Sequence, residues 1–270
     1  MRCCKILATV LLITLPMLAE QLKPATVAAF DRYVSLTEQR MANEVNSDGF
    51  LWIDTTAAEQ RNTYYARLAK GEVLTKRLLT LENGRAIDVP DGLIHHWIGL
   101  VFIPGAALTQ SIDLLQDYDS QYKHYAPEVE RSRLIRRNGS DFHVYLRLRR
   151  KKVVTVVLNT DYDVHYTNLG TDRASARSYS TRIAEVEHAG DTNEIEKPVG
   201  NDSGFLWRLN SYWRFWQRDG GTYVQLEAIS LTRDIPVGLG WLIRPFVTSV
   251  PQESLQFTLG RTRASLCCMR

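Results

Sequence analysis

The body of this sequence contains no cysteine, because its four cysteines form two adjacent pairs at the ends, Cys3-Cys4 and Cys267-Cys268. Adjacent cysteines do not readily bridge each other, so neither pair predicts an internal disulfide. The composition therefore excludes a disulfide framework and a cysteine-based zinc site in the folded part. The C-terminal pair leaves two alternatives, an intermolecular bond or a frayed tail, and we favour the tail.

The motifs of several enzyme classes are also missing. The sequence has no glycine-rich phosphate loop, no G-x-S-x-G turn and no H-E-x-x-H helix, and many of its glycines fall at turn signals. The sequence also has no large excess of positive or negative charge. The formal net charge is +3, and Arg2 and Lys5 supply two of those charges near the N-terminus. A nearly neutral body predicts no nucleic-acid partner, and the sequence predicts no cofactor.

An apolar run at residues 6–15 follows a basic start and precedes Pro16, and no other segment is long and apolar enough to suggest a membrane span. This pattern predicts a signal peptide over residues 1–19, cleaved near Ala19, and an exported protein, either periplasmic or secreted. The run is shorter than the roughly 20 residues of a spanning helix. An uncleaved anchor stays open, because Met17 occupies a position where a small residue is preferred.

Residues 20–90 predict a mainly helical N-terminal region. Apolar residues at helical spacing, among them Phe30, Tyr33 and Met41, predict an amphipathic helix that Asp48-Gly49 ends. Residues 50–53 predict a short strand, residues 56–68 a second helix, and residues 73–81 another strand. Asn83-Gly84 then predicts a tight two-residue hairpin.

From residue 90 onward the pattern becomes rich in strands. A buried strand over residues 93–103 is followed by a helical stretch over residues 108–125. Six strands are then predicted, over residues 130–135, 142–149, 153–162, 174–186, 205–216 and 223–232. Consecutive strands with short turns form an antiparallel meander, and the helix predicted after Ser249 has to bury its leucine stripe against it. The expected fold class is α+β, a curved antiparallel sheet wrapped around a long C-terminal helix.

The hairpin around Asp219 to Gly221 determines which residues share a face, because odd positions on one strand pair with even positions on the other. One face is apolar, with small residues at Ser211 and Ala228 opposite Thr262 of the last helix. Small residues facing each other indicate either a packed core or a cavity. We predict an apolar ligand pocket lined by Trp207, Leu209, Ser211, Trp213, Phe215, Leu226, Ala228, Leu255, Leu259 and Thr262.

The opposite face of the same hairpin is polar, and alternation predicts a solvated outer surface on which Arg214 and Glu227 pair across the strands. His95 and His96 are adjacent in a strand and point to opposite faces. We expect one of them to be packed and the other exposed.

Two further groups of charged residues are candidate sites. A weak metal site is conceivable where Asp161, Asp163 and His165 alternate near Asp141 and His143, but a solvated edge is favoured and no metal is predicted. The basic run at 147 and 149–152 is expected to be solvated, with contact to anionic lipid headgroups as the alternative.

Several stretches resemble the START-like (SRPBCC) superfamily, in its polyketide-cyclase and coenzyme-Q-binding branch. The resemblance covers residues 91–266, and residues 20–90 would be an added region. It is carried by the stretches at 117–119, 125–129 (Tyr125-Ala126-Pro127-Glu128-Val129), 132–134, 229–236, Trp241 and the helix at 251–266. The resemblance implies the helix-grip fold and a pocket for lipids, sterols, quinones or polyketides. It implies no shared catalytic residues.

The expected function is therefore binding of a lipid or other hydrophobic small molecule, with possible peripheral membrane contact and no catalytic residue. One alternative is a cyclase-like enzyme, which requires a titratable group facing the pocket, with His96, Tyr145 and Arg214 as candidates. Another is an interaction module, which requires a closed core and an exposed apolar patch within the first 70 residues.

Overall fold

The computed structural model describes residues 20–45, 49–152, 154–235 and 249–267 of the 270 residues. The predicted signal peptide over residues 1–19 lies outside these ranges. So do Asp48 and Trp241.

Five α-helices and thirteen strands are present in the described ranges. The helices are α1 Pro24–Val45, α2 Ala58–Ala69, α3 Leu108–Gln116, α4 Gln121–His124 and α5 Val250–Cys267. The five strands before α3 are β1 Glu20–Gln21, β2 Leu74–Arg77, β3 Leu81–Glu82, β4 Arg85–Ala86 and β5 Gly92–Pro104. The eight later strands are β6 Val129–Asn138, β7 Asp141–Lys151, β8 Thr155–Asn168, β9 Arg173–Glu187, β10 Ile195–Glu196, β11 Asn201–Asp202, β12 Arg208–Arg218 and β13 Gly221–Arg233.

The main sheet is antiparallel throughout and has the strand order β2-β5-β13-β12-β9-β8-β7-β6, with β10 paired to β9. The β12–β13 hairpin is closed by Asp219 and Gly220, both with positive φ (56° and 74°), which is the geometry of a two-residue type I′ turn. Asn83 and Gly84 close the small β3–β4 hairpin in the same way.

The C-terminal helix α5 packs on one face of this curved sheet, mainly against β5. Its buried stripe consists of Leu255, Leu259, Thr262 and Leu266, as the sequence predicts. The expected helix-grip fold is therefore confirmed. Close approach of α5 to β5 depends on Gly99, because a Cβ atom there would lie 2.6 Å from Leu259 Cδ1 and 3.1 Å from Leu255 Cδ2.

We predict that Gly99→Ala destabilises the protein by about 1–3 kcal/mol, because the added methyl overpacks two leucines that are themselves buried. Gly260→Ala on α5 is the matched control. Nothing lies within 4 Å of its Cβ position, so it should stabilise the helix by about 0.5–1 kcal/mol. Urea unfolding measures both changes. Equal effects of the two variants would contradict the close contact between α5 and β5.

The opposite face of the sheet is covered by the N-terminal helices, so the prediction of a solvated polar face is wrong. Tyr212, Arg214 and Glu227 are all buried, as are Asn210 and Gln225. Helix α1 packs Phe30 and other apolar residues over this face, and α2 covers the part near β2 and β5. Alternation along the strands sorts the two faces correctly but contains no information about what covers each of them.

Ion pairs connect partly exposed side chains of α1 to buried residues of the polar face. Arg214 Nη2 lies 2.9 Å from Glu44 Oε2, and its guanidinium also donates to the Phe50 and Met41 carbonyls at 2.8 and 3.3 Å. Glu227 pairs instead with Arg40 and, at 2.6 Å, with His96 Nε2. The predicted cross-strand pair between Arg214 and Glu227 does not form, because their register partners are Gln225 and Tyr212.

Two local predictions are also wrong. The segment predicted as a strand over residues 50–53 contains a 3-10 helix, Trp52–Thr55, and buries Phe50, Leu51 and Ile53 together instead of alternately. The single helix predicted over residues 108–125 is two helices. Helix α3 ends at Gln116, and the Gln121 side chain donates to the Leu115 carbonyl at 2.7 Å, which fixes the bend.

No helix in the described ranges combines the length and apolarity that a membrane span requires. The predicted division at residue 90 between an N-terminal region and the grip domain stays a prediction.

Candidate functional site

A cavity of about 300 Å³ lies between α5 and the face of the sheet on which α5 packs. Strands β5, β7, β8, β12 and β13 supply most of its wall, and α5 supplies Leu255, Phe257 and Thr258. Most of the wall is aliphatic or aromatic, with isolated hydroxyl groups between the apolar side chains. Because protein interiors are otherwise close-packed, an apolar space of this size is a candidate binding site.

The structure brings six of the ten predicted pocket residues to the cavity wall. They are Leu209, Ser211, Trp213, Leu226, Ala228 and Leu255. The register of the hairpin explains this grouping, since Ser211 pairs with Ala228 and Trp213 with Leu226. Whether these residues bind a ligand stays a prediction.

Trp207 lies on the other face of the sheet, contrary to the prediction. Strand β12 begins at Arg208, so alternation does not extend back to residue 207. The Trp207 indole donates to Asp202 Oδ1 at 3.0 Å and packs with residues of α1.

The other three predicted residues, Phe215, Leu259 and Thr262, lie in packed core beyond the end of the cavity. Phe215 and Leu259 are fully buried in the cluster that joins α3, α5 and the sheet. Thr262 Oγ1 lies 2.9 Å from the Tyr125 hydroxyl. The space predicted beside Thr262 is therefore occupied by the Tyr125 side chain.

Sequence reasoning missed the tyrosines of the cavity. Tyr162 and Tyr166 alternate along β8 and line the wall, together with Tyr118 and Tyr125 after α3. The Tyr118 and Tyr166 hydroxyls lie 2.9 Å apart. Burial raises the pKa of Tyr125 and of Tyr162 to about 12, so both are neutral at pH 7. Alternation along β8 places Asp161, Asp163 and His165 on one face of the strand. It therefore places Tyr162 and Tyr166 on the other face.

His95 and His96 do point to opposite faces, but both are buried, so the expectation of one exposed histidine is wrong. His96 belongs to the ion-pair network beneath α1. His95 lines the cavity, and its Nε2 lies 3.0 Å from Thr232 Oγ1. Burial lowers the pKa of His95 to about 4, with a smaller contribution in the same direction from the charge of Arg77. The ring is therefore neutral at pH 7.

The catalytic candidates named from the sequence do not face the cavity. His96 and Arg214 lie beneath α1, and the Tyr145 hydroxyl donates to Asn159 Oδ1 at 2.7 Å away from the cavity wall. The titratable groups that the enzyme alternative requires are supplied by other wall residues, among them His95, Arg150 and Tyr162.

The basic run is mostly paired with acids, so the expectation of solvated charges is wrong for its best-packed members. Arg147 is buried and contacts Glu130 and Glu194 at 3.0 and 2.8 Å. Arg150 lines the cavity and pairs with Glu128, and burial lowers its pKa to about 10. The alternative of contact with lipid headgroups stays a prediction.

The acidic residues and histidines of β7 and β8 form two separate pairs. His143 lies 2.8 Å from Asp163, and His165 lies 2.7 Å from Asp141. Both pairs are partly exposed at the sheet surface. Within the described ranges, no three histidine, cysteine or acidic side chains come together in a way that could hold a metal ion.

No protein-family profile and no curated relative matches this sequence. Among solved structures, TTHA0849 from Thermus thermophilus is similar at 17% identity and a TM-score of 0.46, over 64% of this chain and 97% of that chain. A STAR-related lipid transfer protein from Xanthomonas axonopodis is similar at 16% identity and a TM-score of 0.46, over 70% of this chain and 98% of that chain. The Zhui aromatase/cyclase from Streptomyces sp. R1128 is similar at 11% identity and a TM-score of 0.42, over 64% of this chain and 94% of that chain.

These likenesses concern the path of the chain alone. The helix-grip fold that the sequence resemblance implies is confirmed by the strand order and by the position of α5 on the sheet.

Proposed function

We propose that this protein, which has the START-like helix-grip fold, binds a lipid chain or another apolar small molecule in the cavity between the sheet and α5. The observation that carries the proposal is the apolar lining of a cavity of about 300 Å³. A ligand that fills this space would remove apolar surface from water, which is worth about 25 cal/mol per Å². Because such a ligand binds the folded state alone, it would also stabilise the fold.

The size of the cavity favours a small ligand. About 300 Å³ is the lower end of the range for ligand pockets, roughly 300–1,000 Å³. A single acyl chain or a compact ring system suits this volume better than a lipid with two chains.

The binding function is favoured over the enzyme alternative by the chemistry of His95. A general base works best when its pKa lies near the working pH, and the pKa of His95 is about 4.

The interaction-module alternative is less favoured for a different reason. Within residues 20–45 and 49–70 no large apolar side chain is exposed, because the apolar side chains of α1 and α2 pack on the sheet.

We also propose that the protein is exported, on the basis of the basic start and the apolar run at residues 6–15 alone. An exported binding protein of this kind would carry or sequester its ligand outside the cytoplasm.

A homologous series of n-alkyl methyl ethers tests the binding function. Each added methylene should raise affinity about fourfold, the equivalent of about 0.8 kcal/mol, until the cavity is full and the gain stops. Displacement of a fluorescent apolar probe from the purified protein measures the series, and mass spectrometry of an organic extract identifies any co-purified ligand. Affinity independent of chain length would refute the proposal.

A further inference from the structure

We propose that the cavity selects an uncharged ligand bearing a hydroxyl group, and that this hydroxyl donates a hydrogen bond to Nδ1 of His95. The inference rests on the proposed binding function and names the chemical class of its ligand.

The hydrogen bonds around Thr232 favour one tautomer of His95. A hydroxyl has one proton, and the Thr232 hydroxyl donates it to the Arg233 carbonyl at 3.1 Å, since a carbonyl can only accept. When Thr232 donates to that carbonyl, its Oγ1 accepts from His95 Nε2, 3.0 Å away. A neutral imidazole that carries its proton on Nε2 has a lone pair on Nδ1.

Nδ1 is therefore the ring nitrogen of His95 that can accept a hydrogen bond from a ligand. Within the described part of the chain, no protein group donates a hydrogen bond to it, although His95 is buried and lines the cavity. A purely apolar ligand would displace water from the cavity and leave Nδ1 without a hydrogen-bond donor. That loss would reduce the free energy of binding. A ligand hydroxyl would satisfy it.

Tyr162 provides a second, independent indication of a polar group on the ligand. Its hydroxyl is buried, lines the cavity, and has no hydrogen-bond partner among the described residues. The cavity thus presents both an unpaired acceptor and an unpaired donor, and both groups are neutral. Its cationic wall residues, Arg149 and Arg150, are already paired with Glu130 and Glu128. Together these features match a neutral hydroxyl better than a carboxylate.

The experiment compares three probes of equal chain length on the wild-type protein, namely 1-decanol, decyl methyl ether and decanoate. Decanol should bind about tenfold more tightly than the ether, because only the alcohol can donate to His95. His95→Leu should bring the ratio of decanol affinity to ether affinity close to one, and this ratio is the readout whatever the substitution does to ether binding itself. Thr232→Val, which removes the hydroxyl that pairs with Nε2 and keeps the ring, should reduce the same affinity ratio. His143→Leu, on the outer surface, is the matched control and should retain the full preference.

The outcomes separate this inference from the proposed function. Equal binding of decanol and the ether to the wild-type protein would overturn the inference and leave the apolar binding function intact. Tighter binding of decanoate would also overturn it and would indicate an anion site instead. If none of the three probes binds, the proposed function itself fails.

Discussion

Replacing Ala228 with tryptophan is expected to abolish uptake of apolar ligands while the protein stays folded. Ala228 lies on the cavity wall, and its neighbours in register are Ser211 on β12 and Trp97 on β5. An indole projecting from this position would occupy much of a cavity of about 300 Å³. Because it fills existing space, it should cause less strain than the same substitution in a packed core. We expect affinity for a decyl ether to fall at least about 100-fold.

Ala264→Trp is the matched control for this prediction. Ala264 lies on the exposed side of α5 and does not line the cavity. The same change in side chain should therefore leave ligand affinity unchanged. Circular dichroism and thermal unfolding establish that both variants are folded. A folded Ala228→Trp variant that retains wild-type affinity would show that ligands bind elsewhere.

Replacing Arg214 with methionine is expected to cause the largest loss of stability, about 3 kcal/mol. The guanidinium is buried and satisfies the Glu44 carboxylate and two backbone carbonyls, those of Phe50 and Met41. Methionine fills similar space but donates no hydrogen bond, so a carboxylate and two acceptors lose their donor. Breaking a buried ion pair in this way typically costs about 3–5 kcal/mol. Glu44 is partly exposed and keeps Arg40 as a partner, which places our expectation at the lower end.

Urea unfolding of Arg214→Met measures this loss against Arg67→Met. Arg67 pairs with Glu72 at 2.8 Å, but both side chains are close to half exposed, so the control should unfold at nearly the wild-type midpoint. If the two variants unfold alike, the network beneath α1 contributes little to holding the N-terminal helices on the sheet.

The local periodicities of the sequence predicted the elements of the fold well. Alternation along β12 and β13, with the turn at Asp219 and Gly220, assigned Ser211, Trp213, Leu226 and Ala228 to one face, and the structure agrees. Alternation failed at Trp207, which lies just before the strand begins. The helical period over residues 108–125 missed the bend between α3 and α4, because that bend depends on the Gln121 side chain reaching the Leu115 carbonyl.

The sequence by itself determined the two faces of each strand, the tight turns and the leucine stripe of α5, because side-chain period and turn chemistry are local properties. Only the tertiary structure decided what covers each face. Helix α1 buries Arg214 and Glu227, which alternation alone had assigned to solvent, and Tyr125 fills the space expected beside Thr262. Packing also decided that His95, and not His96, faces the cavity. These outcomes depend on contacts between residues far apart in the chain, such as Arg214 with Glu44, and no local pattern encodes such contacts.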